Sequence, residues 1–168
     1  MRRNVSMCSR KYKSLGYISL VRPHLEYASA VWDPHYGTHV DLLNRVQNRA
    51  ARFCMGDYRC TSSVSHMVNQ LGWPLLSSRR KTNRLLELYK AINGLSPVPC
   101  DLLQRHNAPY RTRSTVGGIS FVQPFCKTNS FKYSFFPRTV ADWNMLPHNI
   151  TTLPTLDQFH KQVNYLYQ

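Results

Sequence analysis

The spacing of apolar residues predicts helices along most of the chain. The clearest case is residues 38–54, where apolar side chains recur every three or four positions, as on one face of a helix. That stripe consists of Leu42, Leu43, Val46, Ala50 and Phe53. Thr38 and Asp41 have the spacing of a capping box at the helix start, and Gly56 favours a left-handed stop at its end.

Similar patterns predict further helices at residues 9–31, 61–71, 75–93, 137–146 and 156–166. In the first of these, Pro23 either kinks one helix or begins a second one at a first-turn position. In the last, Thr155 and Gln158 repeat the spacing of a capping box.

Aromatic and apolar residues alternate with polar ones after residue 118, in the pattern Ile119, Phe121 and then Phe131, Tyr133, Phe135. Alternation predicts two short strands. The predicted fold is therefore mainly α: a helical bundle followed by a small α+β unit with a short β-hairpin and two helices. Its predicted parts are a helical bundle at residues 1–95, a linker with a basic loop at 96–118, and the small unit at 119–168.

The charge balance indicates an anionic partner. The 22 lysines and arginines outnumber the 8 acidic residues, for a formal net charge of +14 and a pI near 10.0. Nucleic acid is the first candidate, because the cations are spread over several segments that also carry aromatic residues. A membrane partner is not expected, since no apolar run approaches the roughly 20 residues of a bilayer span.

Three groups of residues are candidate nucleic-acid contacts. Arg45, Arg49 and Arg52 recur at helical spacing; Arg79, Arg80, Lys81 and Arg84 crowd the start of a helix; Tyr110, Arg111 and Arg113 lie in a segment without periodicity. Guanidinium forks suit phosphates, and a tyrosine can stack on a base. The alternatives are a solvated arginine face, an ion pair between Glu87 and Arg84, and a plain basic linker.

The cysteines and acidic residues do not predict a metal or catalytic site. Five cysteines at irregular spacing indicate reduced thiols and an intracellular protein. Cys54, Cys60 and His66 could be imagined as zinc ligands, but structural zinc sites typically use a tighter cysteine pair and a fourth ligand. There is no adjacent aspartate pair, phosphate-binding glycine loop or nucleophile elbow, so we expect no catalytic residue.

Short motifs in a fixed order suggest a family. They are RPHLEY at 22–27, WDP at 32–34, VQNRAAR at 46–52, LGW at 71–73, SFFPRT at 134–139, WNMLP at 143–147 and LDQF at 156–159. Together they resemble the C-terminal region of non-LTR (LINE-type) retrotransposon reverse transcriptases of the jockey kind. The resemblance covers nearly the whole chain.

The resemblance implies a thumb, the helical element that holds the template–primer duplex. The implied partners are RNA or an RNA–DNA duplex and the palm and fingers of the parent enzyme, in the cytoplasm or the nucleus. The family's catalytic palm, with its Asp-Asp turn and Mg²⁺, has no counterpart here, so the resemblance implies no cofactor and no catalysis for this chain. We expect a truncated copy or a reading frame that begins inside a longer one.

Two other interpretations remain open. In the first, the chain is an interaction module whose basic faces meet an acidic protein, or the palm and fingers. In the second, it is a non-functional remnant in which Leu43, Phe53 and Trp73 once packed on the palm.

Overall fold

The computed structural model describes residues 5–99, 103–105 and 119–167, and this part of the chain is mainly helical, as predicted. Within the described residues there is no sheet, and extended pairing is limited to one antiparallel bridge between Arg105 and Phe121. The chain divides into two compact units, Met1–Arg79 and Arg80–Gln168.

The first unit contains short helices around one long helix. They are α1 (Arg10–Gly16), a π-helical segment (Tyr17–Val21), α2 (Arg22–Glu26), α3 (Ser29–Trp32), α4 (Gly37–Met55), α5 (Val64–Gln70) and the start of α6 (Leu76–Ile92). Pro23 lies in the first turn of α2, which follows directly on the π-helical segment, so it stands within one continuous helical run from Arg10 to Glu26 and does not begin a separate helix.

The ends of α4 confirm one predicted signal and correct another. Gly56 adopts a left-handed φ of 69° and ends the helix, as predicted. The predicted capping box is wrong, because the residue before the helix is Tyr36 and no side chain caps the first turn. Thr38 lies one residue inside the helix, where its hydroxyl is not in the capping position.

The buried face of α4 is also rotated from the predicted one. Gln47, Ala51 and Cys54 are buried, whereas Leu42 and Val46 of the predicted stripe are exposed. The polar Gln47 is tolerated on this face because its Nε2 donates to the carbonyl oxygen of Pro74 at 3.1 Å. The spacing of apolar residues predicted the helix correctly, but tertiary packing determines which of its faces is buried.

The core of the first unit is built around two stacked rings. The Tyr17 and Trp73 ring centroids lie 4.2 Å apart, and both side chains are buried with Ala51, Cys54 and residues of α5. The Trp73 Nε1 donates to the Ser14 hydroxyl at 3.1 Å. Trp73 therefore packs within this chain, contrary to the interpretation in which it needs an absent palm.

In its described residues, the second unit combines the rest of α6 with four further helices: α7 (Asn129–Lys132), α8 (Phe135–Asn144), α9 (His148–Thr151) and α10 (Leu156–Leu166). The predicted β-hairpin is wrong. Phe131 lies in α7, where the Thr128 hydroxyl accepts from its backbone N–H at 3.3 Å, and Phe135 begins α8. This local cap outweighs an alternation too short to specify a strand. The predicted Thr155 cap of α10 is confirmed by a bond from the Gln158 N–H.

The boundary between the units differs from the predicted linker at 96–118. It falls inside α6, between Arg79 and Arg80. The reason is that Leu85, Leu88 and Tyr89 of α6 are buried in one cluster with Trp143 and Phe159. Within that predicted linker, residues 100–102 and 106–118 lie outside the described part.

Phe159 tests this core. Its ring is 0% exposed and stacks at 4.5 Å on Tyr89 and 5.5 Å on Trp143. We expect Phe159→Ala to lower the free energy of unfolding by about 3–5 kcal/mol, through lost burial and a cavity. A urea titration followed by circular dichroism measures it. Phe125→Ala is the matched control, because Phe125 is 84% exposed, and it should change stability by less than about 0.5 kcal/mol. Similar losses in both variants would contradict this core.

Candidate nucleic-acid interface

The candidate interface is the arginine row of α4, which the sequence predicted. Arg45, Arg49 and Arg52 are spaced by four and three residues, so they follow one side of the helix over roughly 10 Å. Arg45 and Arg49 are exposed, and Arg52 is half-buried. The row lies on the side of the helix roughly opposite the buried residues Gln47, Ala51 and Cys54.

The two exposed arginines of this row keep their charge uncompensated. Within the described residues no carboxylate is within 4.0 Å of the Arg45 or Arg49 guanidinium, although Asp41 lies one turn before Arg45. Arg52 is held in place, because its Nη1 donates to the carbonyl oxygen of Arg59 at 2.7 Å. This bond uses one of the five N–H donors of the Arg52 guanidinium, which keeps its positive charge.

The turn after α4 is organised by Asp57. Its carboxylate accepts from the Arg59 backbone N–H at 3.0 Å, from the Arg59 side chain at 3.2 Å and from the Ser62 hydroxyl at 2.6 Å. These hydrogen bonds, led by that of the Arg59 side chain, hold the pKa of Asp57 well below its usual range. The turn fixes Tyr58 between Asp57 and Arg59 and next to the arginine row.

A cavity adjoins the row at this point. Its volume is about 450 Å³, and its lining includes Arg49 and Arg52 together with the aromatic rings of Tyr17, Phe53 and Tyr58. Sequence analysis missed Tyr58 as a site residue. The only signal was an aromatic residue two positions after the helix-ending Gly56, and nothing in the spacing shows that the turn folds back on α4.

The first basic residue of α6, Arg79, forms an ion pair within the first unit. Arg79 makes a two-pronged ion pair with Glu26: its Nη2 lies 2.8 Å from Oε2, and its Nε bonds Oε1. Glu26 also lies 3.7 Å from the Arg22 Nε. The hydrogen bond to Glu26 raises the pKa of Arg79. The Arg79 guanidinium, which was predicted to contact a phosphate, therefore contacts this carboxylate.

The next basic residues of α6, which are Arg80, Lys81 and Arg84, are buried or ion-paired within the second unit. Asp142 lies 3.0 Å from the Lys81 Nζ and 2.7 Å from the Arg84 Nη2. Arg84 is 4% exposed and Arg80 is 1% exposed. Burial, followed by the nearby charge of Arg138, lowers the pKa of Arg84. The alternative pair of Arg84 with Glu87 is not formed, since Glu87 contacts Lys90 at 2.8 Å instead.

The four predicted contacts in α6, which are Arg79, Arg80, Lys81 and Arg84, are therefore buried or ion-paired within the fold. Tyr110, Arg111 and Arg113 lie outside the described residues. Of the imagined zinc ligands, Cys54 is buried in the first core and Cys60 is exposed. Among the described residues, no three histidine, cysteine or acidic side chains are placed to hold a metal ion.

Comparison of the chain with protein-family models, with curated proteins and with solved structures gives no match. The functional argument therefore rests on the residues themselves. In the part of the chain that the structure describes, no helix combines the length and the apolar character needed to cross a membrane.

Substitutions of Arg84 and Arg45 compare a cation that stabilises the fold with a cation that we assign to the candidate interface. We expect Arg84→Gln to lower the free energy of unfolding by about 1–3 kcal/mol, because it removes one partner of a buried ion pair while Lys81 still compensates Asp142. Arg45→Gln is the matched control and should change it by less than about 0.5 kcal/mol. Urea titrations of both variants measure the difference. An Arg84→Gln protein as stable as the wild type would contradict the structural role.

Proposed function

We propose that this chain is a basic, mainly helical nucleic-acid-binding fragment that holds RNA or an RNA–DNA duplex by its phosphate backbone. Arg45, Arg49 and Arg52 of α4 would make the principal contacts. The observation that carries the proposal is the division of cations between α4 and α6. The predicted contacts of α6, from Arg79 to Arg84, are buried or face Glu26 and Asp142, whereas Arg45 and Arg49 are exposed, away from any carboxylate of the described residues.

The geometry of α4 supports contact with a polyanion more than a solvated arginine face. An exposed row of like charges repels itself, and a phosphate strand relieves that repulsion while releasing its own counterions. Guanidinium groups also bind phosphate oxygens in a two-pronged manner, which fixes orientation.

The proposed mode of recognition is by backbone and shape. A single straight row of arginines offers phosphate contacts, and the paired bases of an A-form duplex lie in a groove too deep and narrow for side chains to read. We therefore expect similar affinities for duplexes of different sequence.

The family resemblance supports a more specific version of this proposal. In a LINE-type reverse transcriptase, the region that this chain resembles includes the thumb, and α4 would then lie along the template–primer duplex. The palm and fingers of such an enzyme would be the protein partners and would supply the catalytic residues and Mg²⁺. The proposal assigns no catalytic role to any residue of this chain and places it in the cytoplasm or the nucleus.

The salt dependence of binding tests the proposal. We expect Arg45→Gln to weaken binding to an RNA–DNA hybrid and to make the slope of log affinity against log salt shallower by about 0.9, the value for one lost phosphate contact. Fluorescence anisotropy of a labelled hybrid, measured from about 50 to 200 mM salt, gives both quantities.

Lys161→Gln is the matched control, because it removes the same charge from an exposed position of α10 in the second unit. It should leave the slope close to that of the wild type. If both variants change the slope equally, or if Arg45→Gln changes neither slope nor affinity, α4 is not the binding surface.

A second candidate function has its own observation. Leu42 and Val46 of α4 are apolar yet exposed, 55% and 37% respectively, on the helix that carries the arginines. Apolar side chains next to exposed cations also suit a protein partner with an acidic surface, including the palm and fingers of a parent enzyme.

Leu42→Ser separates the two candidates. If α4 binds phosphates, this substitution should leave affinity for the hybrid within about twofold, because Leu42 offers nothing to a phosphate. A highly acidic protein added as competitor to a gel shift of the hybrid provides the comparison. Tight binding of that protein, weakened by Leu42→Ser, together with weak binding of the hybrid, would favour the interaction module instead.

A further inference from the structure

The cavity beside the arginine row has the dimensions and the chemistry of a ligand site. Its volume of about 450 Å³ is within the range of roughly 300–1,000 Å³ that small-molecule sites occupy. It lies wholly within the first unit, between the π-helical segment and the C-terminal half of α4, with Tyr58 of the following turn at its edge.

Aromatic rings give the cavity flat apolar walls. Tyr17 is fully buried and stacks on Trp73, so it forms a rigid floor beneath the cavity and leaves the ring faces that a ligand can reach to Phe53 and Tyr58. Phe53 is half-buried on α4, and Tyr58 is 54% exposed. The hydrogen bonds of Asp57 and of Arg52 hold the turn that carries Tyr58. The rings are thus positioned before any ligand arrives.

The charge around the cavity is positive. Arg49 and Arg52 line it, and the Lys13 Nζ lies 5.2 Å from the centre of the Phe53 ring. Asp57 is on the turn beside the cavity, but its carboxylate faces Arg59 and Ser62. A ligand that fits both features has a flat aromatic part next to a negative charge.

We propose that this cavity takes the base of one unpaired nucleotide, with its flanking phosphate on Arg49 and Arg52. The proposal rests on the proposed function, because the phosphate row of α4 would deliver the strand to the cavity. The base must be unpaired, since a base within a duplex exposes only its edge to a protein. The site would recognise single-stranded stretches, bulges or ends next to a duplex, with little preference among bases.

An acidic peptide fits the site less well. Its carboxylates would meet Arg49 and Arg52, but its flexible aliphatic side chains would leave the rings without a flat partner. Aromatic stacking therefore decides between the two ligands, and it can be measured without changing the number of negative charges.

The probe is a labelled single-stranded RNA of about 12 nucleotides, compared with the same strand carrying abasic residues at its central positions. Both have the same phosphates. We expect the wild type to bind the complete strand at least about fivefold more tightly, because one stacked base contributes at least that much. The salt slopes for the two strands should be equal, since the phosphate contacts are unchanged.

Two variants assign the preference to this cavity. Tyr58→Ser should abolish it, whereas Tyr58→Phe keeps the ring and should retain it. Both substitutions are at a residue of an exposed turn, and matched thermal unfolding curves verify that the variants are folded. The affinity of all three proteins for the fully paired hybrid should remain the same.

The outcomes separate this inference from the proposed function. Equal binding of complete and abasic strands by the wild type, or a preference that persists in Tyr58→Ser, overturns the nucleotide site while hybrid binding through Arg45 still stands. A polyglutamate peptide that competes as strongly as the complete strand also overturns it. Failure to bind either strand or the hybrid overturns the proposed function itself.

Discussion

Scarcity of carboxylates governs how this chain uses its charge. With 8 acidic residues for 22 lysines and arginines, two half-buried carboxylates each serve more than one cation. Glu26 faces Arg22 and Arg79, and Asp142 faces Lys81 and Arg84. Burying a cation without such a partner is costly, and these two carboxylates offset that cost for Arg79, Lys81 and Arg84. The cations left outside, Arg45 and Arg49 above all, then define the surface that an anion can meet.

The scarcity of carboxylates also explains which residues lie on the buried face of α4. Its buried side carries small or internally bonded residues, Ala51, Cys54 and Gln47, which allow the helix to lie close to the stacked Tyr17 and Trp73. The arginine row is therefore carried on a rigid element and not on a loop, which favours a fixed spacing between its charges. The Asp57 turn extends this rigidity to Tyr58, and with it to the cavity.

Several features were predictable because local physics decides them. The helical period marked α4, α6 and α10; Gly56 ended α4 in a left-handed conformation; Thr155 capped α10. The hairpin failed because the alternation from Phe131 to Phe135 covers too few residues to outweigh a helix cap at Thr128. The α4 capping box failed because Thr38 and Asp41 have the right spacing but begin two residues after the N-cap position, which Tyr36 occupies.

The sequence by itself determined the mainly helical class, the excess of positive charge and the arginine period along residues 38–54, since these depend on composition and on neighbours three or four positions apart. Only the tertiary structure decided which side of α4 is buried, which cations face Glu26 and Asp142, and that Tyr58 lines one cavity with Tyr17 beside the arginines. Those outcomes depend on residues tens of positions apart in the chain, such as Glu26 and Arg79. Helical periodicity carries no information about such distant pairs.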